Sequence, residues 1–211
     1  MFKQSMLRAG ILVACACLTL ATESVAAEQN GPPAVHLRGT VVSYDGKILK
    51  MKSREGQFVD VALAEGWKIS SVANASLESV KPGDFVGIAS LPKAGGDHAL
   101  EVLIFPPALK GAGEGSYGWD LKPHSSMTNA SVTNLVKGVN GRTVTLSYNG
   151  GQQKTITIPQ GTPVVTIAPA TPDDLKPGAP VFVAADPGSV DKGKASTHQV
   201  VVGKDGVVPP M

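Results

Sequence analysis

Asp97-His98 is the dipeptide that comes nearest to a ligand set, because a carboxylate and an imidazole side by side can both donate to a divalent transition metal. His124 is a third candidate ligand and His198 a fourth. No two of the chain's four histidines have a recognised metal spacing, such as two histidines four apart on one helix face. The competing reading is of solvent-facing loop histidines that share nothing. Ser125 follows His124, and with Asp97 or Asp120 as the acid it supplies the residue types of a serine hydrolase. The Gly-x-Ser-x-Gly turn that would expose such a nucleophile is missing, and so is a glycine loop at a strand–helix junction that would cradle phosphate. Asp173-Asp174 is better placed to cap a helical turn than to do acid–base work. Tyr117 and Trp119 are candidates for contact with a partner, Trp119 being expected to pack against a neighbouring module. With no catalytic constellation, the expectation is a protein that is not an enzyme and needs no cofactor.

The elements that must position these residues are declared by a repeat. Leu175-Lys176-Pro177-Gly178 restates Val80-Lys81-Pro82-Gly83 at an offset of 95 residues, and Asp45-Gly46, Gly56, Gly66 and Val86 meet Asn140-Gly141, Gly151, Gly161 and Val181 at the same offset. Each Lys-Pro-Gly fits a type II turn, with Pro fixing φ at the second position and Gly giving positive φ at the third. Before each turn, Ser76 or Thr171 opens one helical turn with acidic residues near its N-terminus, and Pro172 takes the first helical position. Asn149-Gly150-Gly151 is the clearest hairpin signal.

Residues 1–27 read as an export signal. Lys3 and Arg8 precede a mainly apolar run from Ala9 to Ala21, and small residues around Ala26-Ala27 suit cleavage. The run is short for a membrane span, which takes about 20 residues. Cys15 in Leu12-Val13-Ala14-Cys15 offers the alternative of a lipid anchor. Cys15 and Cys17 are the chain's two cysteines, so the mature chain would have no disulfide, thiolate nucleophile or Cys-based metal site. Its 17 basic and 16 acidic residues lack the concentrated basic charge of a nucleic-acid binder. A bacterial periplasmic location is expected, with no membrane span after cleavage.

The rest reads as all-β. Residues 33–106 form the first module and 131–204 the second, each with five or six short antiparallel strands in a small OB-like barrel or sandwich, with a one-turn helix before the fifth strand. Residues 107–130 form a Gly-rich, aromatic connector, expected to be flexible around Lys110–Ser116, and 205–211 form a tail. Modules of this size bury thin cores, so the two should pack together. The pattern Gly39-Thr40-Val41-Val42, Asp45-Gly46, Val80-Lys81-Pro82-Gly83-Asp84-Phe85-Val86, with Trp119-Asp120-Leu121, Ser126-Met127-Thr128-Asn129-Ala130 and Gly203-Lys204-Asp205-Gly206-Val207-Val208-Pro209-Pro210-Met211, resembles an uncharacterised family of exported bacterial proteins with tandem OB-like modules. Its proteobacterial members are sometimes labelled metal ABC transporter permease, a label that conflicts with a mature chain holding no membrane span. The resemblance implies fold and compartment and carries no site residues. The expected function is binding or interaction with a periplasmic protein or small ligand. The alternative is an accessory metal-binding protein using the histidines and Asp97.

Overall fold

A computed structural model of the chain describes residues 35–138 and 141–209. The signal segment, the possible anchor at Cys15, Asn140 of one expected hairpin and the last two residues lie outside that range. The described residues carry β1 (Val35–Tyr44), β2 (Ile48–Ser53), β3 (Phe58–Asn74), β4 (Phe85–Lys93), β5 (Gly96–Ile104), β6 (Gly115–Trp119), β7 (Ser125–Gly138), β8 (Gly141–Tyr148), β9 (Gln152–Pro159), β10 (Val164–Pro169), β11 (Pro180–Ala185) and β12 (Lys194–Gly203). Among the described residues helical structure is limited to one-turn 3-10 segments, so the all-β expectation holds.

The turns behave as their residues demand. Asp45 Oδ1 accepts from the Lys47 and Ile48 N–H groups at 2.9 and 2.8 Å, closing the β1–β2 hairpin with an Asx turn. Asn149 and Gly150 both have positive φ, 46° and 74°, in the three-residue loop that joins Tyr148 to its partner Gln152. In the two Lys-Pro-Gly turns the Asp84 N–H reaches Lys81 O at 3.1 Å and the Ala179 N–H reaches Lys176 O at 2.9 Å. Ser76 Oγ accepts from the Glu78 N–H, and the Asp174 carboxylate accepts from the Thr171 N–H at 2.9 Å. That bond, ahead of the opposing pull of desolvation, holds the Asp174 carboxyl below its ordinary range, so this acid caps a turn.

The strands do not close module by module. Around the first barrel the order is β1-β2-β3-β12-β11 and back to β1, and around the second it is β7-β8-β9-β5-β4 and back to β7. Each barrel therefore takes three strands from one half of the chain and two from the other, which corrects the division into barrels at 33–106 and 131–204. In both circuits the strand pairs are antiparallel except one, β3–β12 in the first and β5–β9 in the second. The exchange happens at the repeated turns. The Gly83 N–H donates to Val132 O and the Val132 N–H to Asp84 O, while the Gly178 N–H donates to Val41 O and the Val41 N–H to Ala179 O, all at 2.8 to 2.9 Å. Each turn thus docks on a strand of the other half.

The two halves meet on the paired strands β3 and β10. Val72 lies opposite Ile167, its own counterpart at the 95-residue offset, and Ser70 and Asn74 lie opposite Pro169 and Val165, with the counterparts reciprocated. Such a self-matched antiparallel register marks a local two-fold axis at Val72. β3 runs unbroken from Phe58 to Asn74 through Trp67–Ser71. The stretch around Gly66 bulges out, so that Leu63 and Lys68 face Thr197 and Gln199 on β12. In the second half the same stretch breaks at Gly161 and Pro163, giving β9 and β10. The connector is not a loose linker either. It forms a 3-10 turn at Pro107–Leu109 and the strand β6, which pairs along β7 from Gly115↔Asn129 to Trp119↔Ser125.

Three apolar clusters result. Val41, Leu49, Met51, Val61, Val183 and Val200 fill the first barrel, and Ile88, Val102, Val132, Leu146 and Ile156 fill the second. A third cluster of Val72, Leu103, Val165, Phe182, Val201 and Val207 lies between them. Burying each such side chain stabilises the fold by roughly 1.5–3 kcal/mol. Among the described residues no helix is long and apolar enough to cross a membrane.

Candidate functional site: the cleft between the barrels

Strand alternation builds the site. On β11, Val181 and Val183 point into the first barrel, so Phe182 and Ala184 point out. On β12, Val200 and Val202 point in and Val201 out. Arg38 faces Phe182 and His36 faces Ala184 across the β1–β11 ladder. An outer barrel face that is half apolar must be covered, and β6 with its flanking turns covers part of it.

Trp119 makes the contact. Its ring lies 4.4 Å from the His36 ring centre, tilted by 41°, and His36 in turn stacks on Phe182 at 5.4 Å. The Arg38 guanidinium sits over both Phe182 and Trp119, 5.3 and 5.9 Å from their centroids. Asp120 fixes this stack by accepting from Arg38 Nη2 at 2.7 Å and from His36 Nδ1 at 3.0 Å. Desolvation pushes the Asp120 carboxyl up, but the bonds from Arg38 and His36 outweigh it and hold the group below the ordinary carboxylate range.

Beside this stack the third core cluster is left unfilled. A cleft of about 500 Å³ opens there, walled by Phe182, Trp119, Phe105, Leu103, Ile167 and Val201. That volume is in the range of small-molecule sites. Lys68 and Gln199, opposite one another on β3 and β12, line its solvent side, and both are exposed. Among the described residues three buried side-chain atoms have no hydrogen-bond partner, and all three belong to residues lining this cleft: Trp119 Nε1, Ser70 Oγ and Asn129 Oδ1. Unpartnered buried polar atoms are rare enough that a cluster of them calls for a cause. The Asn129 oxygen packs on the bare Gly87 backbone, 2.6 Å from where a Cβ would stand, while its Nδ2 donates to Tyr117 Oη and Ala112 O. Trp119 Nε1–H and the Ser70 hydroxyl are likewise shielded from solvent in the wall of the cleft.

The residues singled out from sequence divide sharply. Tyr117 and Trp119 both line the cleft, and Trp119 is packed as expected. The metal candidates do not converge, which corrects that set as a ligand group. Asp97 is held by Lys154 at 2.8 Å in the second barrel, whereas His198 bonds Asp186 at 2.9 Å on the first. His98 pairs along β4 and β9, and His124 sits with φ of 63° in the β6–β7 turn. Among the described residues no three His, Cys, Asp or Glu side chains gather as a metal site. Ser125 is buried, donating its hydroxyl to Trp119 O and Lys122 O at 2.8 and 2.7 Å and accepting from the Lys122 N–H, so it pins the turn behind Trp119. A serine fixed in that way is no exposed nucleophile.

Sequence reading passed over Phe182, Lys68, Gln199, Ser70 and the Arg38–Asp120 pair. The one available signal was the run His36-Leu37-Arg38, which sets two cationic-type side chains on the same outward face of a strand. Comparison of the chain with family models, with curated proteins and with solved structures returns no match to any of them.

Proposed function

We propose that this is a non-enzymatic binding protein, exported to a bacterial periplasm, whose two barrels form a scaffold for one small-molecule site in the cleft between them. The strand order first-second-third-fifth-fourth, with the third and fifth strands parallel, supports the reading of OB-like barrels, a fold that hosts ligands on its faces and loops. Fold alone assigns no ligand. The observation that carries the reading is the cleft itself: an apolar, ring-walled cavity of about 500 Å³ between the barrels. The metal-handling alternative has no such support, since Lys154 neutralises Asp97 and the histidines are dispersed over both barrels.

The test is a fluorescence titration of the mature protein with the neutral probe N-phenyl-1-naphthylamine. Saturable binding of one probe per chain, weakened by Phe182→Ala and by Trp119→Ala in chains whose unfolding remains cooperative, is the expected result. Absence of saturation, or saturation indifferent to both substitutions, would remove the cleft as the functional site.

A further inference from the structure

The lining of the cleft carries charge information as well as shape. Among the described residues no aspartate or glutamate lines it, the one lining side chain with a permanent charge is Lys68, and Lys68 forms no ion pair. Lys68 and Ser70 are two residues apart on β3 and so share a face of that strand. Gln199 lies directly across from Lys68. The internal repeat shows what else could have stood there. Val102 and Val200 occupy equivalent rungs beside Val164 and Ile69, so Gln199 is the counterpart of Glu101 in the other half. Where the second half-site has an acidic residue, the cleft has an amide.

We infer that the cleft selects a planar aromatic anion, its ring system against Trp119 and Phe182 and its carboxylate or sulfonate toward Lys68. This rests on the reading of the cleft as a ligand site. Rings of the ligand replace the missing apolar contacts of the third core cluster, where offset or edge-on ring contacts add to simple burial. The anion meets the lysine at the mouth, where partial solvation keeps the cost of desolvating the charge low. A cationic ligand would find Lys68 repulsive and no carboxylate to answer it.

The experiment compares two probes with closely related ring systems, 8-anilinonaphthalene-1-sulfonate and N-phenyl-1-naphthylamine, on the full mature chain and on Lys68→Gln. Lys68 is exposed, so the substitution leaves the fold intact, checked by an unchanged melting transition. The expected result is saturable binding of the sulfonate whose preference over the neutral probe falls about fivefold in Lys68→Gln, the scale of a solvent-exposed ion pair. Raising salt should erode the same preference in the unsubstituted chain. If Lys68→Gln leaves the ratio of the two affinities unchanged, selection for an anion is wrong while the cleft still stands as an apolar site. If neither probe binds, the cleft reading falls and this inference with it. A sulfonate signal untouched by Phe182→Ala places the anion elsewhere and also overturns the proposal.

Discussion

Glu101 shows how one residue position has been put to different use in the two halves. It is 4% exposed on β5, with Arg38 and Arg54 as the nearest opposing charges. Desolvation raises its carboxyl more than the two guanidinium groups lower it, and the group is pushed up to about 8. Between the ordinary value near 4.5 and about 8, the folded chain holds a proton that the unfolded chain has released. Stability is therefore fullest below the lower value and declines as pH rises through the window, by up to about 1.4 kcal/mol per pH unit. Glu101→Gln should flatten the curve of melting temperature against pH between 5 and 8, and a curve of unchanged slope would place the titration in another group. The residues that matter at this scale were poorly legible from sequence. Lys68, Phe182 and Gln199 lie on three distant strands with no shared spacing, and only the exchanged topology brings them to one cleft. The histidines that stood out by type are each claimed by local geometry, as His198 is by Asp186.

At the scale of elements, sequence told far more. Alternation such as Ile48–Ser53 and Gln152–Pro159, bounded by Asp45-Gly46 or Asn149-Gly150, marks strands because a half-buried sheet demands a period of two. β6 escaped because Gly113, Gly115 and Gly118 dilute its pattern, and its strand form depends on pairing with β7 rather than on its own side chains. The chain after β12 is another element that composition does not announce. A turn through Asp205 and Gly206 folds it back so that Val207 enters the third cluster, and its carbonyl oxygen would stand 1.9 Å from a Cβ on Gly203. Gly203→Ala must lift that segment off the core. The expected cost is about 2–4 kcal/mol, read as a lower denaturation midpoint together with faster proteolysis after residue 203. Equal stability of the variant would show that the segment adds nothing to the core.

For the whole molecule, the repeat was legible but its consequence was not. Closed modules and exchanged modules have the same strands, turns and offset, because local pattern fixes that a strand exists and not which copy closes the barrel with it. The decision falls at β3, which runs on to Asn74 and pairs with β10 about Val72, carrying β4 and β5 to the far barrel. That register is self-complementary, so a fragment covering residues 33–110 should associate as a two-fold dimer that exchanges its last two strands with a second copy. Sedimentation of the fragment should report twice its mass. A stable monomer would show that the intact chain, and not β3, enforces the exchange.

The parallel pairing of β3 with β12 sets the order in which the chain can become protein at all. β1, β2 and β3 can form a meander as soon as they are made, yet one edge of β3 and the free side of β1 stay open until residues 180–203 arrive. The longest-range contacts are thus the ones that seal the first barrel, and closing them late makes folding slow. Until then the chain presents bare strand edges, the kind of surface that other chains pair with. A synthesis pause anywhere between β3 and β11 would leave the first barrel unsealed, and a sheet ready to aggregate.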